Sequence, residues 1–380
     1  MSTAAPRVRG DVGSLDDITA AAVRATGLSD FGDDAHVEGL GVLVDDYASA
    51  AGLTGEGNYR MRSMVKGLLV AKLMAQQGRA RNPGVDGVAI ERPVFIMGLP
   101  RSGTTLLQRL LTADPRHQGL EQWLADLPQP RPPRETWDDD PIFSAMQGGY
   151  AAFHEANPEL AGLHYSDAAS HEECWRLLQH SGQSVAFETQ AYTPGYSAWL
   201  GQQDWVQAYR RHRSLLQLIG FNEPDKRWIL KNPSHLIALD ALKDVYPDAV
   251  VVVTHRDPVA CTASMCSLAA ASTRGTSEVF VGETIGRTQL DLLAREQAAF
   301  RASAHPGDAI DVAYDDLVAD PVATVRGVYA AAGLAWDDET ATSVTEELER
   351  SRSGVRAPRH DYDLADYGLT EAQVRDALEA

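Results

Sequence analysis

The residues with the plainest chemical meaning are Gly98-Leu99-Pro100-Arg101-Ser102-Gly103-Thr104-Thr105, which have the frame of a phosphate-binding loop. Thr104 stands where a nucleotide-triphosphate loop carries its lysine. In a triphosphate-hydrolysing protein that lysine reaches the β- and γ-phosphates while a Ser or Thr holds Mg²⁺. A loop that keeps the glycines but lacks the lysine suits a terminal group of lower charge, and so a donor other than ATP. Glycine-rich strand-to-helix turns also occur with no ligand. Here the glycines coincide with Arg101, with the hydroxyls of Ser102, Thr104 and Thr105, and with the right flanks.

A second segment carries equal weight. Arg227-Trp228-Ile229-Leu230-Lys231-Asn232-Pro233-Ser234-His235 precedes a helix-like stretch to Tyr246, and Ala249 to Thr254 then reads as a buried β-branched strand ending in His255-Arg256-Asp257-Pro258. Ser264 lies eight residues beyond Arg256, on the expected next helix. An arginine at the C-terminal end of a strand and a serine two turns into the following helix can converge on one anion outside the sheet edge, where open α/β sheets bind ligands. Two anion sites are therefore expected.

Together these segments resemble the sulfotransferase superfamily that uses 3′-phosphoadenosine 5′-phosphosulfate (PAPS), in its bacterial branch. The resemblance spans roughly residues 93 to 367 in patches and is specific at the two phosphate motifs. It implies that the loop around Arg101 grips the 5′-phosphosulfate and that Arg256 and Ser264 bind the 3′-phosphate. Val312-Ala313-Tyr314-Asp315-Asp316-Leu317 with Asp320-Pro321 resembles the family segment whose tyrosine lies near the adenine, which implies that role for Tyr314. Ser351-Arg352-Ser353-Gly354 has the character of the late basic glycine turn that closes over the nucleotide, with Arg356 as a substitute for its cation.

Sulfuryl transfer to a hydroxyl needs a base, cations over the moving group and in-line placement of nucleophile and leaving phosphate; positioning and charge should supply most of the acceleration. Lys231 ends a strand beside the first loop and matches a lysine that many relatives carry, so it is the expected bridging cation. Some relatives use a histidine two residues after that lysine, whereas His235 is spaced differently. Others use a glutamate on a helix downstream of the loop, and His171-Glu172-Glu173-Cys174-Trp175 offers such a helix. Adjacent glutamates point in different helix directions, so one of the two is expected to face the site. Glu172 is favoured over Glu173, with His171 and His235 next; each is also compatible with a merely structural place. No metal is required.

The elements around these residues read as an α/β protein with a P-loop-type parallel sheet flanked by helices, a mostly helical N-terminal region and helical acceptor-binding insertions. Pro93 to Met97 is an apolar run fit for a buried parallel strand, and Thr104 to Thr112 opens a helix directly after the glycine. Helix N-terminal N–H groups lack intrahelical partners and carry the positive end of the dipole, so such a loop holds an anion through main chain. Residues 1–90 form the helical region packed on the core, and residues 91–380 the sulfotransferase-like core. In Tyr59 to Met74 the residues Met61, Met64, Val65, Leu68 and Leu69 form one stripe beside Arg60, Arg62, Lys66 and Lys72. That pattern packs on a core or, as the alternative, lies on an anionic membrane. Residues 128 to 141 hold five prolines and read as an irregular loop. The acceptor-binding segment, about 128–225, carries Trp137, Phe143, Tyr150, Phe153, Tyr165, Trp175, Tyr192, Trp199 and Trp205, which line a pocket for a small-molecule or lipid-like alcohol or form the core of helical hairpins.

Bulk properties bound the partners. The 380 residues carry a net charge of −19, which argues against nucleic acid and weakly against polyanionic glycans. The three cysteines, Cys174, Cys261 and Cys266, have no metal-ligand spacing and read as buried thiols. The N-terminal residues lack an apolar leader and no stretch is long enough to span a bilayer, so a cytoplasmic protein is expected. Two other readings stay open: a P-loop kinase or nucleotide hydrolase with a displaced lysine, which calls for a metal-binding aspartate at a strand end, and a non-catalytic binder of adenosine bisphosphate.

Overall fold

The structure, a computed structural model, describes residues 10–156, 167–353 and 363–379. Five parallel strands form its sheet: β1 (Val94–Gly98), β2 (His117–Gln118), β3 (Arg227–Lys231), β4 (Val250–His255) and β5 (Ile310–Ala313), in the spatial order β2-β3-β1-β4-β5. β1 is central and buried throughout, and its side chains alternate between two cores. Phe95 and Met97 join Trp228, Leu230, Val251 and Val253 on one face. Val94 and Ile96 join Ile229, Val252 and Val312 on the other. Helices cover both faces, which is why these strands are apolar runs rather than alternating ones.

Three N-terminal helices, α1 (Leu15–Thr26), α2 (Ala35–Ser49) and α3 (Gly55–Arg81), share one continuous apolar cluster with the Phe95 face of the sheet. Helix α4 (Thr104–Thr112) closes the opposite face with Leu107, Leu110 and Leu111. A third cluster gathers Leu99, Cys261, Cys266, Phe280 and Ile285 around the Pro258–Ser272 and Gly282–Ala302 helices. All three cysteines are free and buried.

The stripe of α3 faces the core: Met61, Val65, Leu68 and Leu69 are buried and Met64 packs against them. The cations beside it are not a membrane face. Lys72 is fully buried, with Nζ 2.8 Å from Asp33 Oδ1 and 3.1 Å from the His180 carbonyl; Arg62 donates to the Val12 carbonyl and Arg60 to that of Ser272. The membrane alternative for this helix is thereby overturned, because its apolar side is already covered. No helix among the described residues is long and apolar enough to cross a membrane.

Candidate active site

The sheet register brings the two phosphate motifs side by side. Gly98 at the end of β1 pairs with Thr254 in β4, so the loop after β1 and the Arg256 turn leave the same sheet edge together. A Cβ at Gly98 would lie 2.4 Å from the Thr254 carbonyl oxygen, and its φ of +139° is open only to glycine. Gly103 caps α4 at φ +94°, where a Cβ would come within 2.9 Å of Leu317 and 3.2 Å of the Tyr314 ring. The missing Cβ at Gly103 therefore lets Leu317 and Tyr314 pack against the turn that opens α4, and Gly103 lines the cavity.

Arg101 takes a left-handed backbone, φ +69°, uncommon for a residue with a side chain. This turn lets its Nε donate to Ser264 Oγ at 3.1 Å while its carbonyl accepts from Arg256 Nη1 at 2.7 Å. The Arg256 guanidinium lies 4.1 Å above the centre of the Tyr314 ring. Arg101, Arg256, Ser264 and Tyr314 thus form one linked cluster. Ser102 differs from its neighbours: fully buried, its hydroxyl is bonded to the Leu99 carbonyl and Thr254 Oγ1, so it shapes the loop from inside while its side chain points away from the cavity. Thr104 and Thr105 do line the cavity.

Lys231 ends β3 in register with Ile96, one strand over from the loop. Buried at 2% exposure, its Nζ pairs with Glu173 and reaches Thr105 Oγ1 at 3.4 Å. Main-chain bonds hold Glu173 there. The Cys174 N–H donates to the Lys231 carbonyl at 2.9 Å, the Glu172 N–H to the Leu120 carbonyl at 2.7 Å, and the Gln122 N–H to the Ser170 carbonyl at 2.8 Å. The expected helix over His171 to Trp175 is corrected by this arrangement: only Trp175–Leu178 is helical, and the residues before it are tied to strand ends. In that non-helical segment Glu172 and Glu173 both line the cavity, contrary to the expectation that one alone would face it.

The two glutamates have different surroundings. Burial pushes the Glu172 carboxyl above its ordinary range, opposed first by Arg176. Arg176 stacks 4.2 Å over the Trp175 ring and pairs with Asp126 at 3.0 Å. Glu172 Oε1 also accepts from the Glu173 N–H at 2.7 Å. The histidines are corrected. His235 is fully buried, with Nδ1 2.7 Å from Tyr209 OH and its ring edge-on to Phe95, and burial holds its pKa well below the ordinary value. His171 forms a bridge to Glu121, packs against Gly119 and does not line the cavity; burial lowers its pKa too. Neither histidine lines the cavity.

The late basic turn also reads differently. Ser351, Arg352 and Ser353 are the last residues of the Asp338–Ser353 helix, Arg352 is exposed and not part of the cavity wall, and Gly354 and Arg356 lie outside the described residues. Of the aromatics, Tyr150 and Trp175 line the cavity, whereas Trp137, Phe143 and Trp205 are core and Tyr192 borders another cleft. Tyr165 lies outside the described residues.

One cavity of about 590 Å³ is lined on the loop side by Arg101, Gly103, Thr104, Thr105, Arg256 and Tyr314 and on the other by Gln122, Tyr150, Glu172, Glu173, Trp175 and Arg176, with Lys231 and Ser264 behind this wall, bonded to Glu173 and Arg101. Leu106, Val185, Met265 and Leu268 add apolar wall. Sequence reasoning had passed over Gln122 and Arg176, which carry no motif; their signal is only position, one beside the pinned strand end and one three residues after Glu173. Asp257, the first aspartate after β4, caps the next helix through Ala260 N–H and pairs with Arg375 at 3.1 Å. Among the described residues no group of three or more His, Cys, Asp or Glu is arranged to hold a metal.

Comparison with known proteins agrees with this geometry. The model of the Sulfotransferase family matches residues 93–338. The crystal structure of sulfotransferase STF1 from Mycobacterium tuberculosis superposes with a TM-score of 0.90 at 46% identity, covering 97% of this chain and 99% of that one. Sulfotransferase STF9 from Mycobacterium avium gives 0.87 at 25% identity, covering 100% and 97%. Omega-hydroxy-beta-dihydromenaquinone-9 sulfotransferase Stf3 of Mycobacterium bovis is 28% identical over 313 residues, 76% of this chain and 72% of that protein. With a phosphate loop lacking its lysine, a lysine-glutamate pair beside it and a family match over most of its length, the chain belongs to the sulfotransferase family.

Proposed function

We propose that the protein transfers the sulfuryl group of PAPS to a hydroxyl of a small-molecule or lipid-like acceptor. The observation that carries this reading is that the glycine loop, Arg256 and Tyr314 line one cavity together with Glu173, whose carboxylate pairs with the buried Lys231 behind the wall. The loop suits a phosphosulfate: Gly103, Thr104 and Thr105 at the α4 N-terminus line the cavity, and Arg101 and Arg256 stand as its cations in a strongly acidic chain. When bound, PAPS supplies a sulfuryl group already attached to a phosphate leaving group. Ser264 and Arg256 would take the 3′-phosphate, with Tyr314 backing the guanidinium.

Lys231 is placed to neutralise charge that builds on the leaving phosphate oxygen as its bond to sulfur breaks, since its Nζ stands between Thr105 of the loop and Glu173. Glu172 takes the proton of the acceptor hydroxyl as that oxygen bonds to sulfur. Burial raises its carboxyl toward the range a base needs, whereas Glu173 is committed to Lys231. The apolar wall formed by Leu106, Val185, Met265 and Leu268 favours a hydroxyl carried on an apolar body, and Stf3, named for a hydroxylated menaquinone, is a relative.

The kinase reading lacks its aspartate, because Asp257 is occupied as a helix cap and ion pair. The test is direct. 3′-Phosphoadenosine 5′-phosphate (PAP) should raise the melting temperature without magnesium, ATP with magnesium should not, and radiolabelled PAPS should label a hydroxylated lipid such as an ω-hydroxylated prenylquinone. Stabilisation by ATP-magnesium alone would return the kinase reading; PAP binding with no labelled product from a broad alcohol panel would leave a non-catalytic binder.

A further inference from the structure

The mechanism above leaves one carboxyl unused. Glu296, on the Gly282–Ala302 helix, is 1% exposed, and neither of its oxygens completes a hydrogen bond among the described residues. That helix packs against the Pro233–Ala238 turn, which begins two residues after Lys231. Ser234 of this turn lines the cavity and stands beside the Glu296 carboxyl, where its hydroxyl favours the ionised form but is outweighed by burial.

The cations nearest Glu296 are already paired with other carboxylates, although Arg295 keeps one nitrogen, Nη1, without a partner among the described residues. Two other carboxyls act on Glu296, those of Glu188 and Glu173. Glu173 is held by Lys231, and Glu188 by Arg295, whose Nε also donates to Asp291 at 3.1 Å. Glu296 is therefore a third acid in a pocket with its cations already engaged, and ionising it would set an unpaired charge in a medium that cannot solvate it. An O–H in the same place has a partner at hand in Ser234.

We infer that Glu296 is carried as a neutral carboxylic acid and is a positioning residue, donating its proton to Ser234 Oγ so as to hold the turn that follows Lys231 in place beside the cavity. Burial, which pushes this carboxyl up to about 7, agrees with that state. The groups that bear on its titration are Ser234 from the turn, Glu188 and Glu173 from the segments packed over it, and Arg295 on its own helix. Losing the proton would turn the donor into an acceptor and add a negative charge beside Glu173, loosening the turn that follows Lys231. The kinetic consequence rests on the sulfotransferase reading; the protonation state and the coupling to Ser234 do not.

Glu296→Gln keeps the shape and stays neutral, and Ser234→Ala removes the partner. The infrared difference between wild type and E296Q should contain a protonated-carboxyl band near pH 6 that disappears by about pH 9. The melting temperature of wild type should fall relative to E296Q between about pH 5 and pH 8, because a group whose pKa is raised on folding contributes stability that is lost as pH climbs through the raised value. The E296Q and S234A effects on melting temperature should be non-additive. With PAPS and a turned-over alcohol, kcat/KM of wild type should decline on the alkaline side, and both variants should flatten that decline, which a residue serving packing alone would not produce. A carboxylate band already present near pH 6, or strictly additive melting shifts, would overturn the inference. Absence of any sulfuryl transfer would instead count against the proposed function, with the spectroscopic and thermal results still deciding the state of Glu296.

Discussion

The two sides of the cavity are built on different principles. The donor side is mostly main chain: two glycines, a helix N-terminus and a strand end, with Arg101 and Arg256 locked to one another through the Arg101 carbonyl. The acceptor side is side chains on a segment outside regular structure, held by N–H groups of Glu172 and Cys174 donating to the carbonyls of Leu120 and Lys231. A site made of backbone tolerates little change in residue type and leaves a dense local signature. One made of pinned side chains depends on partners far away in the chain, so its residues carry no motif.

That contrast can be broken, and the sharpest tool is Lys231→Ala. Loss of the cation between loop and glutamate should lower kcat by ~10³-fold or more in single-turnover assays with radiolabelled PAPS, with PAP affinity nearly unchanged; an equal loss of PAP affinity would move Lys231 to the donor side. Glu172→Gln should lower kcat by roughly 10²-fold and spare PAP binding. Near-normal turnover there would hand the base to Glu173. On the donor side the pattern should invert. Arg256→Ala should weaken PAP binding by calorimetry by about 3 kcal/mol, roughly a hundredfold, since charge-assisted bonds and the grip on the Arg101 carbonyl go together.

Smaller effects sharpen the same division. Gly103→Ala forces a side chain into φ +94° within 2.9 Å of Leu317, and should cost about 1–2 kcal/mol of stability together with PAP affinity. Arg176→Met addresses the other side. Arg176 is the first influence that opposes burial at Glu172, so its loss should raise that carboxyl further. A base works only when deprotonated, so the acid limb of kcat/KM should move to higher pH in this variant, by about one unit. A limb that stays in place would separate Arg176 from the base.

How legible each part was follows from the range of the interactions that make it. The strand Val94–Gly98, the loop and α4 could be read directly because each is local: an apolar run, a glycine turn, a helix start. Ser264 was found by spacing from Arg256, and the structure adds that it is tied to Arg101 as well. His235 misled because a histidine near a strand end reads the same whether it faces a cleft or, as here, the Phe95 core. The glutamates misled for a related reason. A helix over His171 to Trp175 is locally reasonable, yet hydrogen bonds to Leu120 and Lys231 override it and turn both carboxyls toward the cavity. In the sequence Lys72 is only one of four cations beside the α3 stripe, and the approach of Asp33 and the His180 carbonyl explains its burial.

By itself the sequence determined the strand, glycine turn and helix start that make the expected anion loop, because apolar patterning and glycine backbone freedom act over a few consecutive residues. The tertiary structure alone decided which carboxyl keeps company with Lys231, which histidines are sealed in the core and which acid lies under the Ser234 turn. Those outcomes depend on burial and charge contributed by residues tens to hundreds of positions apart. Coulomb and desolvation energies are set by distance in space, and one-dimensional spacing does not encode it.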